Sequence, residues 1–206
     1  MKSLKLRLES HFVAAAAMAA VAAVGAGQKA DAAIVYSGIV NIPIQQTVNG
    51  LYINIVTGQI NEPGNTGGSS VPGWDLNPYG STQTFYGFGN TGWAYCGTAG
   101  VLGQLAAGAP IDSTTATNTS SASASAFPTT GGAYFGFRFQ NEAAGNQIQN
   151  AWGLYIKPAD ANSTGTLVAY AYEDSGAGIA AGAVPTPGSL ALLGLGGLGL
   201  TRRRRR

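Results

Sequence analysis

Three consecutive segments of this chain repeat with a period of two, and an antiparallel β-meander is the structure that accommodates them. Residues 133–139 (AYFGFRF) alternate strictly, and residues 150–157 place Trp152, Leu154 and Ile156 on one face. Residues 166–173 set Val168, Tyr170 and Tyr172 against Leu167, Ala169 and Ala171. Successive side chains of a strand point to opposite faces, so each segment offers one face to a core. Polar turns at 141–147 and 158–165 join the three as sequence neighbours.

The rest of residues 33–183 reads as more of the same class, an all-β body of about 150 residues, one domain in size. Its 24 glycines and many Ser, Thr and Asn punctuate short apolar runs rich in Tyr, Phe, Trp, Ile and Val. Residues 34–47 and 51–56 flank Asn49-Gly50, the strongest short hairpin signal, because a type I′ turn needs positive φ at both central positions. Leu51, Ile53 and Ile55 share one face and are predicted to meet the core; Pro43 belongs on an edge or at a bulge. Residues 58–73 form a polar loop, and residues 73–77, 82–88 and 93–96 read as further short strands. Residues 112–126 (DSTTATNTSSASASA) are low-complexity and read as an exposed loop. The expected architecture is all-β: an antiparallel β-sandwich or curled sheet, flanked by an N-terminal signal helix and a C-terminal hydrophobic sorting helix.

Charge is segregated along the chain. Between residues 33 and 183 two cations, Arg138 and Lys157, stand against seven carboxylates, a net of −5. Such a body does not suit nucleic acid, which takes clustered Lys and Arg against phosphate. It contains no histidine, since His11 lies in the first 32 residues, and its one cysteine is Cys96. A histidine-based triad, a His/Cys zinc site and an internal disulfide framework are thereby excluded from the body. No cofactor and no enzymatic activity are expected.

Both ends read as addresses. Lys2, Lys5 and Arg7 precede the unbroken apolar run 12–24, and Ala30-Asp31-Ala32 supplies the small-x-small pattern that signal peptidase accepts. Residues 1–32 are therefore expected to be a signal peptide cleaved after Ala32, with Ala33 the second choice, so the partners include the general secretion machinery and signal peptidase. At the other end, Val184-Pro185-Thr186-Pro187 breaks regular structure. An uncharged stretch follows, carrying Leu190, Leu192, Leu193, Leu195, Leu198 and Leu200, and then Arg202, Arg203, Arg204, Arg205 and Arg206. As a helix the dozen apolar residues reach roughly 20 Å against a hydrocarbon core of about 30 Å, so the bilayer must thin or the ends snorkel. The arginines hold the end on the cytoplasmic side.

The order Pro-x-Pro, glycine-rich Leu/Ala segment, terminal arginine cluster over residues 184–206 resembles the PEP-CTERM sorting signal of Gram-negative bacteria. Thr186 stands where that motif carries its central Glu. Stretches of the body (VNGLYINIVTG, GWDLNPYG, YFGFRF, LVAYAYEDSGAGIAAGAVP) also resemble other secreted proteins of that group. The resemblance implies that an exosortase recognises and removes the tail. It also implies transient anchoring in the inner membrane, followed by release to the cell surface or an extracellular matrix that contains exopolysaccharide.

Within the body the candidate chemistry is sparse. Glu173-Asp174 is the only adjacent acidic pair, and on a strand its members face opposite ways, as at a solvated strand end. Asp75 with Asn77, and Asp160 with Asn162, offer oxygen ligands two residues apart without continuing into a calcium loop; Asx turns account for both. Cys96 reads as a small buried residue. Trp74 and Trp93, next to turns and near Tyr79, Tyr86 and Tyr95, are the candidates for stacking on sugar, whereas Trp152 belongs to the core. An acidic cleft uniting Asp75, Asp112 and Glu142 would instead signal a hydrolase.

Overall fold

The computed structural model describes residues 33–61, 70–81, 83–87 and 94–185. The expected signal and sorting helices lie outside these residues. In chain order the strands are β1 (Ile34–Tyr36), β2 (Ile42–Ile44), β3 (Pro78–Tyr79), β4 (Thr84–Phe85), β5 (Ala94–Thr98), β6 (Val101–Leu102) and β7 (Pro110–Ile111). They continue with β8 (Thr117–Asn118), β9 (Ala122–Ser123), β10 (Ala133–Asn141), β11 (Gln147–Ile156), β12 (Gly165–Glu173) and β13 (Ile179–Ala180). The described residues contain no α-helix, and no helix among them is long and apolar enough to cross a membrane.

The meander forms where the alternation places it. β10, β11 and β12 pair antiparallel in sequence order, and β1 closes on the outer edge of β12. β5 continues the sheet beyond β10, and β6, β9, β4 and β3 carry it round into a curled sheet. That sheet is mixed and not purely antiparallel as expected, because β6 and β9 run parallel.

Each face of the meander carries its own apolar layer. Phe135, Phe137 and Phe139 of β10, Tyr155 of β11 and Leu167, Tyr170 and Tyr172 of β12 meet Ile44, Leu51, Ile53, Ile55, Leu76 and Phe85. The opposite face sets Trp152, Ala169 and Ala171 against Cys96, Ile111, Ile179 and Ala181. β7 and β13 pair as a separate ribbon that contributes Ile111 and Ile179 to this second layer. Trp152 donates its indole N–H to the Ala183 carbonyl at 3.0 Å, which ties the last segment of the body across the sheet.

The structure corrects several expectations. Leu167 does not share a face with Ala169 and Ala171: the register steps from Leu154↔Ala169 to Tyr155↔Leu167, leaving Val168 as the extra residue of a bulge. One added residue inverts the alternation, so Leu167 joins Tyr170 and Tyr172 in the first layer. On the other side of β12, the Val168 carbonyl accepts from both Val40 (2.8 Å) and Asn41 (3.2 Å), so β1 and β2 form one edge strand interrupted at the same level. Pro43 sits in β2 on that edge, where a residue without an N–H is tolerated.

The Asn49-Gly50 hairpin does not form. Gly50 does take positive φ (57°), yet β2 pairs with β12, and residues 51–53 bond instead to residues 76–78: Leu51 N–H to the Pro78 carbonyl at 2.9 Å, Ile53 N–H to the Leu76 carbonyl at 3.1 Å. Among the described residues, the stretches expected as strands at 73–77 and 82–88 carry a bridge at Leu76 and the short strand β4, which pairs with β3. Nor are residues 112–126 an exposed loop: β8 pairs with β5, β9 pairs with β4, and Ala122 and Ala124 are fully buried. The Ser-Ala alternation there is a strand pattern whose inward residues are small enough to lie under the aromatic core.

Candidate functional site

Four aromatic side chains form a continuous surface row over the segments that cover the first apolar layer. Each adjoins a buried residue in the chain yet is itself partly or well exposed: Tyr52 between Leu51 and Ile53, Trp74 before Asp75, Tyr79 after Pro78, Tyr86 after Phe85. Tyr52 and Trp74 meet edge to face at 4.8 Å between centroids, Trp74 and Tyr86 at 6.1 Å, and Tyr86 and Tyr79 at 6.4 Å. Tyr86 is 43 % exposed and the other three are half-buried.

Buried polar side chains hold this row in place of a regular ladder. Asn54 donates to the carbonyls of Pro72 (3.2 Å) and Gly73 (2.7 Å), directly before Trp74, while its oxygen accepts from Val56 and Thr57. Asn61 accepts from Tyr52 N–H at 2.7 Å and donates to the Gly50 carbonyl. Asp75 accepts from Ile55 N–H at 2.8 Å, and Asn77 donates to the carbonyls of Asn49 and Leu51. Irregular backbone with buried amides needs such partners, and here Asn and Asp supply them. Beneath Tyr86, the Tyr95 hydroxyl donates to the Tyr86 carbonyl at 2.9 Å. Burial first, and then the Asp75 charge, pushes the Tyr95 phenol far above its ordinary value, so it remains a neutral donor.

Of the residues expected to stack on sugar, Trp74 lies in the row and Trp93 lies outside the described residues. Tyr79 and Tyr86 join Trp74, but Tyr95 is buried beneath them. Tyr52 was not singled out from the sequence, although its polar-side position between Leu51 and Ile53 carried the signal. Val184 and Pro185 are exposed where the body ends. Thr186, Pro187, the leucines from Leu190 to Leu200, Arg202 to Arg206, and the cleavage residues Ala30 and Ala32 lie outside the described residues.

Among the described residues the remaining titratable groups are dispersed. Asp112 follows β7 on the second-layer side and Asp75 packs with the first layer, so the sheet separates them. Three clefts of about 300, 360 and 280 Å³ carry one carboxylate each, Asp160, Glu142 and Asp112 respectively. Paired-carboxylate glycoside hydrolysis takes two at fixed spacing. Asp160 accepts from Asn162 N–H at 2.8 Å in an Asx turn, and Asp112 binds the Thr114 hydroxyl and N–H, which lowers its carboxyl below the ordinary value. No group of three or more His, Cys, Asp or Glu able to hold a metal occurs among the described residues. Cys96 is buried in the second layer, and that burial pushes its thiol up to about 11 against the opposing charge of Arg138.

Glu173 differs from the expected solvated strand end. It is 3 % exposed, because the turn after β12 folds back over it: its Oε1 accepts from Ser175 N–H, and Asn150 donates to the carbonyls of Gly176 and Ala177. Its Oε2 is buried without a hydrogen-bond partner.

No protein-family model, curated protein or solved structure matches the chain. The chemistry of the aromatic row and the two terminal segments therefore carry the functional reading.

Proposed function

We propose that this protein is an exported, non-enzymatic component of the cell surface or extracellular matrix whose β-domain holds exopolysaccharide on the Tyr52–Trp74–Tyr86–Tyr79 row. The observation that carries the reading is the row itself: four contiguous, solvent-accessible rings whose segments are braced by buried amides. Aromatic faces pack against the apolar C–H faces of sugar rings while the hydroxyls at their rims remain hydrated. A line of rings suits a polymer better than a single small molecule.

Charge narrows the polymer. The two cations of the body are engaged internally: Arg138 donates to the carbonyls of Asp112 and Thr115 and to Asn150, and Lys157 to the Ser125 carbonyl. With the body at net −5, neutral glycans are favoured over acidic ones and over nucleic acid.

In this reading the curled β-body is preceded in the sequence by a signal helix in residues 1–32 and followed by a sorting signal in residues 184–206 whose hydrophobic part, from Leu190 to Leu200, is helical. The tail anchors the protein briefly in the inner membrane until an exosortase cuts near Pro185-Thr186-Pro187. Intact mass of secreted protein is expected to show loss of the tail only where an active exosortase is present. Full-length tails ending in five arginines outside the cell would end the processing claim and leave a freely secreted carbohydrate-binding module as the second reading.

The row is tested separately. Trp74→Ala is expected to weaken retention on neutral polysaccharide about tenfold, the loss of one stacked ring worth roughly 1–2 kcal/mol. Affinity electrophoresis measures it, with near-UV circular dichroism confirming the fold. Unchanged retention in both Trp74→Ala and Tyr86→Ala defeats the assignment.

A further inference from the structure

The start of the body is gripped by one carboxylate. Ala33 N–H donates to Asp174 Oδ1 at 2.9 Å, and the Ala33 carbonyl accepts from Asp174 N–H at 3.1 Å. Ala33, the first described residue, is thus bonded on both sides to the residue that follows β12, and the bond to its nitrogen uses the peptide link that signal peptidase would cut.

We infer that cleavage after Ala32 converts this hydrogen bond into an ion pair, the new N-terminal ammonium of Ala33 seated on the Asp174 carboxylate. This rests on the export reading above. Hydrolysis of the Ala32–Ala33 bond adds one water: the carboxylate stays on the released leader, and the Ala33 amine takes up a proton. The nitrogen gains charge without having to move, because Asp174 already accepts from it.

The geometry also separates the two cleavage positions open in the sequence. A cut after Ala33 would remove the residue that Asp174 holds on both sides and leave its carboxylate without that partner. A cut after Ala32 keeps Ala33 and charges it.

The pair has a structural purpose. β1 is a three-residue edge strand, and chain ends fray unless they are tied down. Its first pair, Ile34↔Glu173, lies beside the buried Glu173 carboxylate, so fraying there admits water to a group the fold keeps covered. Of the titratable groups along this edge, Glu173 is paired with Ile34, Tyr172 with Val35 and Tyr36 with Ala171, and Asp174 is the one in hydrogen-bond contact with the Ala33 nitrogen. Tyr172 carries the imprint of the same carboxylate: burial, and then the Asp174 charge, raise its hydroxyl above the ordinary value.

The test uses the full chain expressed in an exporting bacterium, with the secreted protein analysed by N-terminal mapping and by labelling with an amine-reactive reagent at pH 7. Ala33 is expected as the first residue. Its amine is expected to label about two- to fivefold more slowly than in Asp174→Asn, since an exposed pair lowers the free-amine fraction by about that factor. Lys157 serves as the internal reference. Asp174→Glu, which keeps the charge, is expected to label slowly like the native protein, and this second variant guards against a mere folding defect in the first. A different first residue, or equal labelling in all three proteins, overturns the inference. A leader that is never removed overturns the export reading along with it, whereas processing at Ala33 with equal labelling overturns the ion pair alone.

Discussion

Phe85→Ala is expected to destabilise the β-domain by about 3–5 kcal/mol, a large share of the roughly 5–15 kcal/mol that holds a domain folded. Phe85 is fully buried and stands edge-on to three rings at once: Phe135 at 5.0 Å, Tyr155 at 5.4 Å and Tyr95 at 5.7 Å. Removing it forfeits the transfer of a large apolar group from water and opens a cavity between rings that are themselves fixed on β5, β10 and β11. Those strands cannot collapse into the space without breaking their pairing. Urea unfolding followed by tryptophan fluorescence measures the change, and a loss below about 1 kcal/mol would show that the aromatic layer is not packed as described. Because Phe85 lies beneath Tyr86, the variant is also expected to loosen the outer aromatic row.

Gly50→Ala is expected to cost roughly 3 kcal/mol or more, with Gly38→Ala as its control. Both positions take positive φ, 57° and 72°, where an L side chain costs about 1–2 kcal/mol by itself. At Gly38 an added Cβ meets nothing within 4 Å. At Gly50 it overlaps the Pro78 carbonyl and the Cα of Tyr79, the backbone to which residue 51 is bonded, so relief requires separating those segments. The difference between the two variants isolates the clash from the conformational penalty. Equal losses in the two proteins would show that the close approach carries no energy. Since Tyr79 closes the aromatic row, Gly50→Ala is also expected to impair polysaccharide retention.

Gly50 shows where reading from sequence stops. Asn-Gly correctly announced a backbone with positive φ, which is a local property of a residue without Cβ. The partner of that backbone was not local. Residues 42–44 had the choice of folding back on residues 51–56 or joining the edge of β12, and the long edge of a packed meander won. The bulge at Val168 was hidden for a similar reason. Alternation in residues 166–173 is intact as a pattern of residue types, but one of them is left out of the β11–β12 pairing, and the type of Val168 does not reveal that. The Ser-Ala tract was misread because composition was weighed above periodicity. Small residues at 122 and 124 bury well where the space left by Phe85 and its neighbours is thin.

The aromatic row was half legible. Trp74, Tyr79 and Tyr86 stood out as aromatics near turns, while Tyr52 belonged to a different segment and was joined to them only by the bonding of residues 51–53 to residues 75–78. Glu173 behaved in the opposite way: its position at a strand end suggested solvent, and the returning turn covered it.

What the sequence by itself determined is whatever depends on the order of neighbouring residues. This covers the three-strand meander with Phe135, Phe137 and Phe139 facing one core, the burial of Leu51, Ile53 and Ile55, the edge position of Pro43, and the Asx turn at Asp160. Strand periodicity and turn chemistry act over a few residues, so they are written directly into the order of the chain. Only the tertiary structure decided which edge each short strand joined, where the register slipped, and which aromatics met on the surface. Those outcomes depend on competition between segments tens of residues apart for the same hydrogen-bonding edges and the same apolar volume, and that competition is resolved by packing.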